Sequence, residues 1–372
     1  MKILHINSYF SNRFFYQDLL EEQKKMGISV LTVIPVHKSF VSPYTYDNDV
    51  SLIRAYGRFE RFIYPVRFAK ILKRISQEID VKEYDLIHAH SLFTNGYIAK
   101  LLSKKYNIPY VVTVRNVDIN GFFKYGYTIR WVGRNILRRA ERVFFLSKAF
   151  MRTLETRYYK RIERDKCVVV PNGINNFWQN NRASGRCLNC GEVRFVYAGE
   201  INKNKNICAS AEAIMAYSKE TGKKVSFYVV GEQIDKEVMD KLSQYDFVII
   251  HKPVRKEELI QIYQESDIYI MPSLTESFGL TYAEAMTQGL PVIYTENQGF
   301  DGQFEEGDVG YHVKPRDIVN IKQKIQKIVD NYTSISARCV EKSALFAWSE
   351  IAAKYGYEYE NIMTRKYGDK KC

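Results

Sequence analysis

Short apolar runs alternate with longer amphipathic segments through most of this chain, and that rhythm constrains the fold more than any other feature. Strand-like runs at residues 2–6, 29–34, 86–88, 110–114, 142–146 and 168–170 are separated by helix-like segments at 16–26, 68–79, 96–105 and 129–140. Such alternation predicts a parallel sheet with helices on both faces, where ligands sit at the carboxyl ends of the strands. The rhythm breaks at Pro171-Asn172-Gly173, and residues 176–192 are rich in Asn, Arg and Gly. It resumes with strand-like runs at 194–198, 225–230, 247–250, 268–271 and 292–294. At 372 residues the chain exceeds one ordinary core. The sequence therefore reads as α/β with two doubly wound domains, residues 1–172 and 193–345, joined by a linker at 173–192. A final segment, 346–364, carries Trp348, Ile351, Tyr355, Tyr359 and Met363 at helical spacing. No internal sequence repeat is evident.

The densest chemistry lies at residues 271–291, MPSLTESFGLTYAEAMTQGLP. An apolar strand ends at Pro272 and Ser273, Glu276 falls in the loop, and a short helix opens near Leu280 or Thr281 and closes at Gly289 and Pro291. The first turn of such a helix leaves N–H groups unpaired and carries partial positive charge, which suits a diphosphate. Gly279 lets the backbone approach closely. A carboxylate at Glu284 can accept two hydroxyl hydrogen bonds, as a ribose diol offers, and Glu276 can reach a sugar beyond the phosphates. Taken singly, Glu284 could equally complement the helix dipole and Glu276 could be an exposed loop acid.

Glu276, seven residues and Glu284, with Ser277-Phe278-Gly279 inside and Ala285-Met286-x-x-Gly289-x-Pro291 after, resembles glycosyltransferase family 4. The family comprises retaining nucleotide-sugar transferases of the GT-B fold, two Rossmann-like domains facing each other across a cleft. The resemblance implies an acceptor-binding first domain, a nucleotide-sugar-binding second domain and a terminal helix crossing back onto the first. It also implies a donor contact surface of Glu276, Ser277, Phe278, Gly279, Leu280 and Glu284. In the family's loop after the first strand of the second domain, an arginine and a lysine hold the donor pyrophosphate. Here Gly199 opens that loop and Lys205 matches the lysine, while Glu200 stands at the arginine position. A carboxylate there repels a diphosphate by order 1 kcal/mol in a partly desolvated cleft, so either Glu200 turns away and Lys203 compensates, or the donor is held weakly. Gly231 and Pro253-Val254-Arg255 match loops around the nucleotide base.

In the first half, His88-Ala89-His90 ends a strand, which places His90 at its carboxyl edge toward the cleft. Two histidines with no third ligand nearby are weak evidence for a metal. Residues 113–118, TVRNVD, align with the family's histidine-glycine-x-aspartate turn, with Arg115 for the histidine and Asp118 kept as an orienting carboxylate. The Gly-Gly turn common after the family's first strand is replaced by Asn7-Ser8-Tyr9-Phe10-Ser11-Asn12. The implied catalytic set is Glu276, Lys205, His90, Arg115 and Asp118. The role of residues 297–303, NQGFDGQ, is open. No metal or other cofactor is expected if Lys205 and the helix terminus carry the diphosphate charge. Asp47-Asn48-Asp49 has the Asp-x-Asp form of metal-dependent transferases, but its flanks read as a loop.

The formal net charge of +13 belongs to the first half. Residues 56–74 and 122–142 mix Arg and Lys with Phe, Tyr, Trp and Ile, which suits an interfacial helix on anionic lipid or a packed helix with a solvated basic face. No nucleic-acid motif accompanies the charge. Neither a signal peptide nor an apolar run of membrane-spanning length is present, so a cytoplasmic protein, peripheral on the inner membrane face, is expected. Of six cysteines only Cys187 and Cys190 form a close pair, weak as a zinc motif. The expected reaction moves a hexose from a UDP-sugar to a glycan or polyprenyl-diphosphate-linked acceptor in capsule or surface-polysaccharide synthesis. The alternative is an inactive transferase-like scaffold, since Glu200, Arg115 and the missing Gly-Gly turn depart from the family pattern.

Overall fold

The computed structural model describes residues 1–10, 16–60, 63–188 and 191–367. The chain divides into two compact units, one built from Met1–Leu146, Phe150–Pro171 and the segment from Trp348, the other from Ser147–Ala149 and Asn172–Ala347.

The first unit holds β1 (Lys2–Ile6), β2 (Ser29–His37), β3 (Val50–Tyr56), β4 (Leu86–Ala89), β5 (Tyr110–Val114), β6 (Arg142–Phe145) and β7 (Cys167–Val169). They form a seven-stranded parallel sheet in the order β3-β2-β1-β4-β5-β6-β7. The second holds β8 (Glu192–Ala198), β9 (Lys224–Val230), β10 (Val248–His251), β11 (Ile268–Ile270), β12 (Val292–Thr295) and β13 (Gly310–Val313), parallel throughout in the order β10-β9-β8-β11-β12-β13.

The α-helices in chain order are α1 (Gln17–Lys25), α2 (Tyr64–Glu78), α3 (Asn95–Tyr106), α4 (Arg130–Arg139), α5 (Lys148–Thr153), α6 (Asn176–Asn180), α7 (Ile207–Thr221), α8 (Lys236–Leu242), α9 (Lys256–Glu265), α10 (Leu280–Thr287), α11 (Ile318–Asp330), α12 (Tyr332–Ser343) and α13 (Trp348–Tyr367). In the first unit Phe68, Ile71 and Ile75 of α2, Leu102 of α3 and Ile136 of α4 bury one face of the sheet. Leu19 and Leu20 of α1 and Trp348, Ile351, Tyr355 and Tyr359 of α13 bury the other. Central strands covered on both sides need no polar alternation, hence runs such as Tyr110–Val114 with every residue buried.

Four elements depart from the sequence reading. Strand β3 was not anticipated, because as an edge strand it carries Ser51 and Arg54 among its apolar residues. Strand β13 was also missed. Strand β2 runs past Ile34 through Pro35 to His37. Proline is tolerated there because β1 ends opposite Val33 and only β3 lies beside Pro35. Helix α2 begins at Tyr64, not at residue 68, with Pro65 in the first turn where its missing N–H costs nothing.

Residues 173–192, expected as a linker, are largely packed into the second unit. Trp178 is buried with its ring 5.5 Å from that of Tyr263. Arg186 donates to the carbonyls of Tyr263 and Ser266 at 3.2 and 2.7 Å. An indole and a guanidinium anchored this way fix the segment, despite its loop-like composition. Of the cysteine pair, Cys187 is exposed and Cys190 lies outside the described residues.

Candidate active site

In both sheets the winding reverses once, between β1 and β4 in the first unit and between β8 and β11 in the second. Loops leaving such neighbours diverge and open a crevice at the strand ends, the usual ligand position of a doubly wound sheet. In the second unit the two loops carry Lys205 and Glu276. Lys205 Nζ lies 2.7 Å from Glu276 Oε2, with the lysine half-buried and the glutamate buried. The other carboxylate oxygen, Oε1, accepts the N–H of Ser277 at 2.8 Å.

Asn204 stitches the loops together. Its Oδ1 accepts from Thr275 N at 3.1 Å, its Nδ2 donates to the Thr275 carbonyl at 2.9 Å, and its own carbonyl accepts from Leu274 N at 2.8 Å. Behind them Gly199 and Gly231 pack backbone to backbone. Gly199 donates to the Val230 carbonyl at 2.9 Å, and a Cβ on Gly231 would stand 1.7 Å from the Gly199 oxygen. Val254 follows β10 and is half-buried against the same core.

Lys203, expected to compensate for Glu200, is turned to another carboxylate here. It pairs at 2.7 Å with Glu237 at the start of α8. Glu200 is exposed, its carboxylate accepting from Asn202 Nδ2 at 3.2 Å. Phe278 is buried with its ring 5.6 Å from Phe346 and 5.9 Å from Phe300, so only its backbone can meet a ligand.

Gly279, at φ +76°, caps α10, and Leu280 is its first residue. Buried tyrosines hold the helix from below: Tyr282 donates to the Met271 carbonyl at 2.5 Å, and the Tyr269 hydroxyl lies 2.6 Å from that of Thr281. On α10, Glu284 is half-buried. Lost solvation raises its pKa to about 7, partly offset by a hydrogen bond from the Trp178 side chain.

The segment of unknown role, residues 297–303, braces the Glu276 loop. Gln298 Oε1 accepts the Glu276 N–H at 3.1 Å and the Gly299 N–H reaches the Glu276 carbonyl at 3.3 Å. A Cβ on Gly299 would lie 1.7 Å from the Ser277 carbonyl oxygen, so only glycine fits that approach. Gln298, Gly299 and Asn204 escaped the sequence reading; the Gly-rich composition of 297–303 was the only signal.

In the first unit the expected catalytic groups are interior. His90 is buried, its Nε2 2.8 Å from Nδ1 of His5 on β1. His88 lies 2.6 Å from the Tyr359 hydroxyl and 2.8 Å from that of Thr113. His5 and His88 share a register position on adjacent strands, which supplies a third histidine that the sequence reading did not count. Burial holds the three imidazoles neutral, with His5 down to about 3 and the other two well below their ordinary value.

Arg115 is buried too, donating to the His90 carbonyl at 3.1 Å and standing 5.3 Å from the Tyr16 ring. Asp118 is fully buried and accepts the N–H groups of Leu92, Phe93 and Arg115 at 3.0, 3.3 and 2.8 Å. Burial raises its pKa to about 6 against those three bonds. These groups hold the loops after β4 and β5, and Nδ1 of His90 has no hydrogen-bond partner among the described residues. Asp49 of the Asp-x-Asp run pairs with Lys24 in front of β3.

Two parallel Rossmann-like units with a lysine–glutamate pair at a switch point define a sugar-transferase architecture of the GT-B type. Two family models match the chain, one described as Glycosyltransferase Family 4 over residues 14–176, the other as Glycosyl transferases group 1 over residues 188–345. The chain belongs to glycosyltransferase family 4 and is a glycosyltransferase. It is 24% identical over 327 residues to an alpha-monoglucosyldiacylglycerol synthase of Acholeplasma laidlawii, covering 79% of this chain and 78% of that one. The fold is shared with sucrose-phosphate synthase from Thermosynechococcus elongatus, at TM-score 0.72 and 19% identity over 98% and 100% of the two chains. It is also shared with the Anabaena protein HepE in complex with UDP-glucose, at TM-score 0.64 and 15% identity over 97% and 100%. No described helix is long and apolar enough to cross a membrane.

Proposed function

We propose that this chain moves a hexose from a UDP-sugar, with retention at the anomeric carbon and without a metal ion, to a glycan or polyprenyl-diphosphate-linked acceptor in capsule or surface-polysaccharide assembly. The observation that carries the reading is the Lys205–Glu276 pair, 2.7 Å apart at the β8/β11 switch point. An arriving diphosphate competes with Glu276 for the Lys205 ammonium, and the released carboxylate oxygen becomes an acceptor for sugar hydroxyls. Glu284 takes the ribose diol, and the amides opening α10 face the phosphates.

The acceptor oxygen bonds to the anomeric carbon on the face the diphosphate leaves. The bond from that carbon to the diphosphate breaks toward phosphate, and the departing phosphate oxygen takes the acceptor's proton. Lys205 offsets the charge that develops there. The first unit supplies the acceptor side at the inner membrane face. Phe59, Tyr125, Tyr127 and Trp131 are exposed among its arginines and lysines, a composition that favours an anionic lipid surface. The Anabaena complex with UDP-glucose supports the donor class.

Calorimetry with UDP, GDP and ADP in EDTA, on the parent and Lys205→Ala, tests the reading. Selective UDP binding that weakens in the variant is expected. Binding that requires a divalent ion, or equal binding by the variant, would overturn it.

A further inference from the structure

Away from the donor crevice, the first unit carries a groove of about 530 Å³ between α2 and the edge strand β3. Lys38, Arg54, Lys70, Lys73, Arg74 and Gln77 line it. On α2, residues 70, 73, 74 and 77 fall at i, i+3, i+4 and i+7, so one stripe of the helix presents them all, beside the buried stripe of Phe68, Ile71 and Ile75. Like charges at these spacings repel and weaken a helix by roughly 0.2–0.5 kcal/mol per pair, so the stripe is a local cost to the fold.

Carboxylates answer only part of it. Lys70 pairs with Glu60 and Arg74 with Glu78, the latter at 3.1 Å. Lys38, Arg54 and Lys73 make no ion pair within 4 Å among the described residues, although Glu60 also feels the charge of Lys38, and Lys38 and Lys73 are exposed. A cationic lining only partly balanced by carboxylates, around a groove large enough for a small anion, is the arrangement that a phosphate group fits, with several ammonium and guanidinium donors converging on its oxygens.

We propose that this groove is a second anion site, separate from the donor crevice, that takes a phosphate-bearing ligand, supplied either as a free phosphorylated molecule or as a lipid headgroup. It goes beyond the transfer reading and does not depend on it, because binding is measured without turnover.

The probes are inorganic pyrophosphate, titrated by calorimetry at low salt, and sedimentation with vesicles of phosphatidylglycerol in phosphatidylcholine or of phosphatidylcholine alone. Both are run on Lys205→Ala, which removes the donor-site ammonium, and on Lys205→Ala with Lys38→Ala and Lys73→Ala. Each cation removed is expected to weaken binding about fivefold. Circular dichroism shows whether the folds match, and Lys73→Glu alone provides a second, single-site reading. Pyrophosphate binding that falls with the groove substitutions identifies a free phosphorylated ligand. Binding only to the anionic vesicles, falling in the same way, identifies a headgroup. Binding to neither, or binding indifferent to Lys38 and Lys73, refutes the site; unchanged parent affinity for UDP in Lys38→Ala/Lys73→Ala would still leave the donor reading intact.

Discussion

Consider Glu284→Gln, which keeps shape and hydrogen-bonding reach on α10 while removing the charge. Burial places the carboxyl pKa at about 7, so about nine-tenths is ionised at pH 8 and about one-tenth at pH 6. The ionised form accepts charge-assisted hydrogen bonds from a diol, worth about 1.5–3 kcal/mol and so roughly 10- to 100-fold in affinity. The protonated acid resembles the glutamine. The ratio of parent to variant affinity for UDP is therefore expected to lie near its full value at pH 8 and to fall about five- to ninefold by pH 6. Taking the ratio cancels the titration of UDP itself. Isothermal calorimetry at four or five pH values would trace the curve. A ratio that stays flat from pH 6 to 8, or equals one at pH 8, refutes the assignment of Glu284 to the ribose.

The same substitution bears on stability with a definite sign. Because the folded pKa is raised from 4.5 to about 7, the ionised carboxylate destabilises the unliganded fold progressively as pH rises through that window. Glu284→Gln is expected to raise Tm at pH 8 but not at pH 4, by at most about 3 kcal/mol in free energy; equal Tm at pH 8 would contradict it. The neutral histidines act oppositely, giving stability that is present above pH 6.5 and lost as pH falls toward 3, and a urea series should show a shallower acid decline in His5→Leu than in the parent. Asp118→Ala strands three buried N–H groups and is expected to cost about 2–4 kcal/mol in chemical denaturation; a loss of turnover with unchanged stability would instead restore a chemical role. Gly299→Ala forces Ser277 aside, so donor turnover should fall at least about tenfold while Tm moves by only a few degrees; normal turnover would show that residues 297–303 do not position Glu276.

Period and propensity exposed the sheets but not their edges. Runs such as Lys2–Ile6 and Tyr110–Val114 stand out because burial on both faces leaves them mostly apolar, with no polar alternation, whereas β3 keeps Ser51 and Arg54 and blends into its loop. Spacing along one segment placed Glu276 and Glu284 on a loop and the following helix. What joins segments was out of reach: nothing in the order of residues announces that Lys203 turns to Glu237, or that His5 sits beside His88. Register and long-range side-chain choice are settled by packing across the sheet. Trp178 illustrates the converse, a single aromatic in a polar stretch whose burial converts an expected linker into part of a core.

The placement of α13 has a consequence for how the protein is made. One face of the first sheet is completed by Trp348, Ile351, Tyr355 and Tyr359, which leave the ribosome only after residues 172–347 have been synthesised. At ordinary elongation rates the nascent first unit waits on the order of 10–35 s with that apolar face covered only in part, by α1. The second unit, whose residues lie between, can close first. Premature termination before Trp348 would therefore cripple the half of the protein made earliest, and this interval is when a chaperone is most needed.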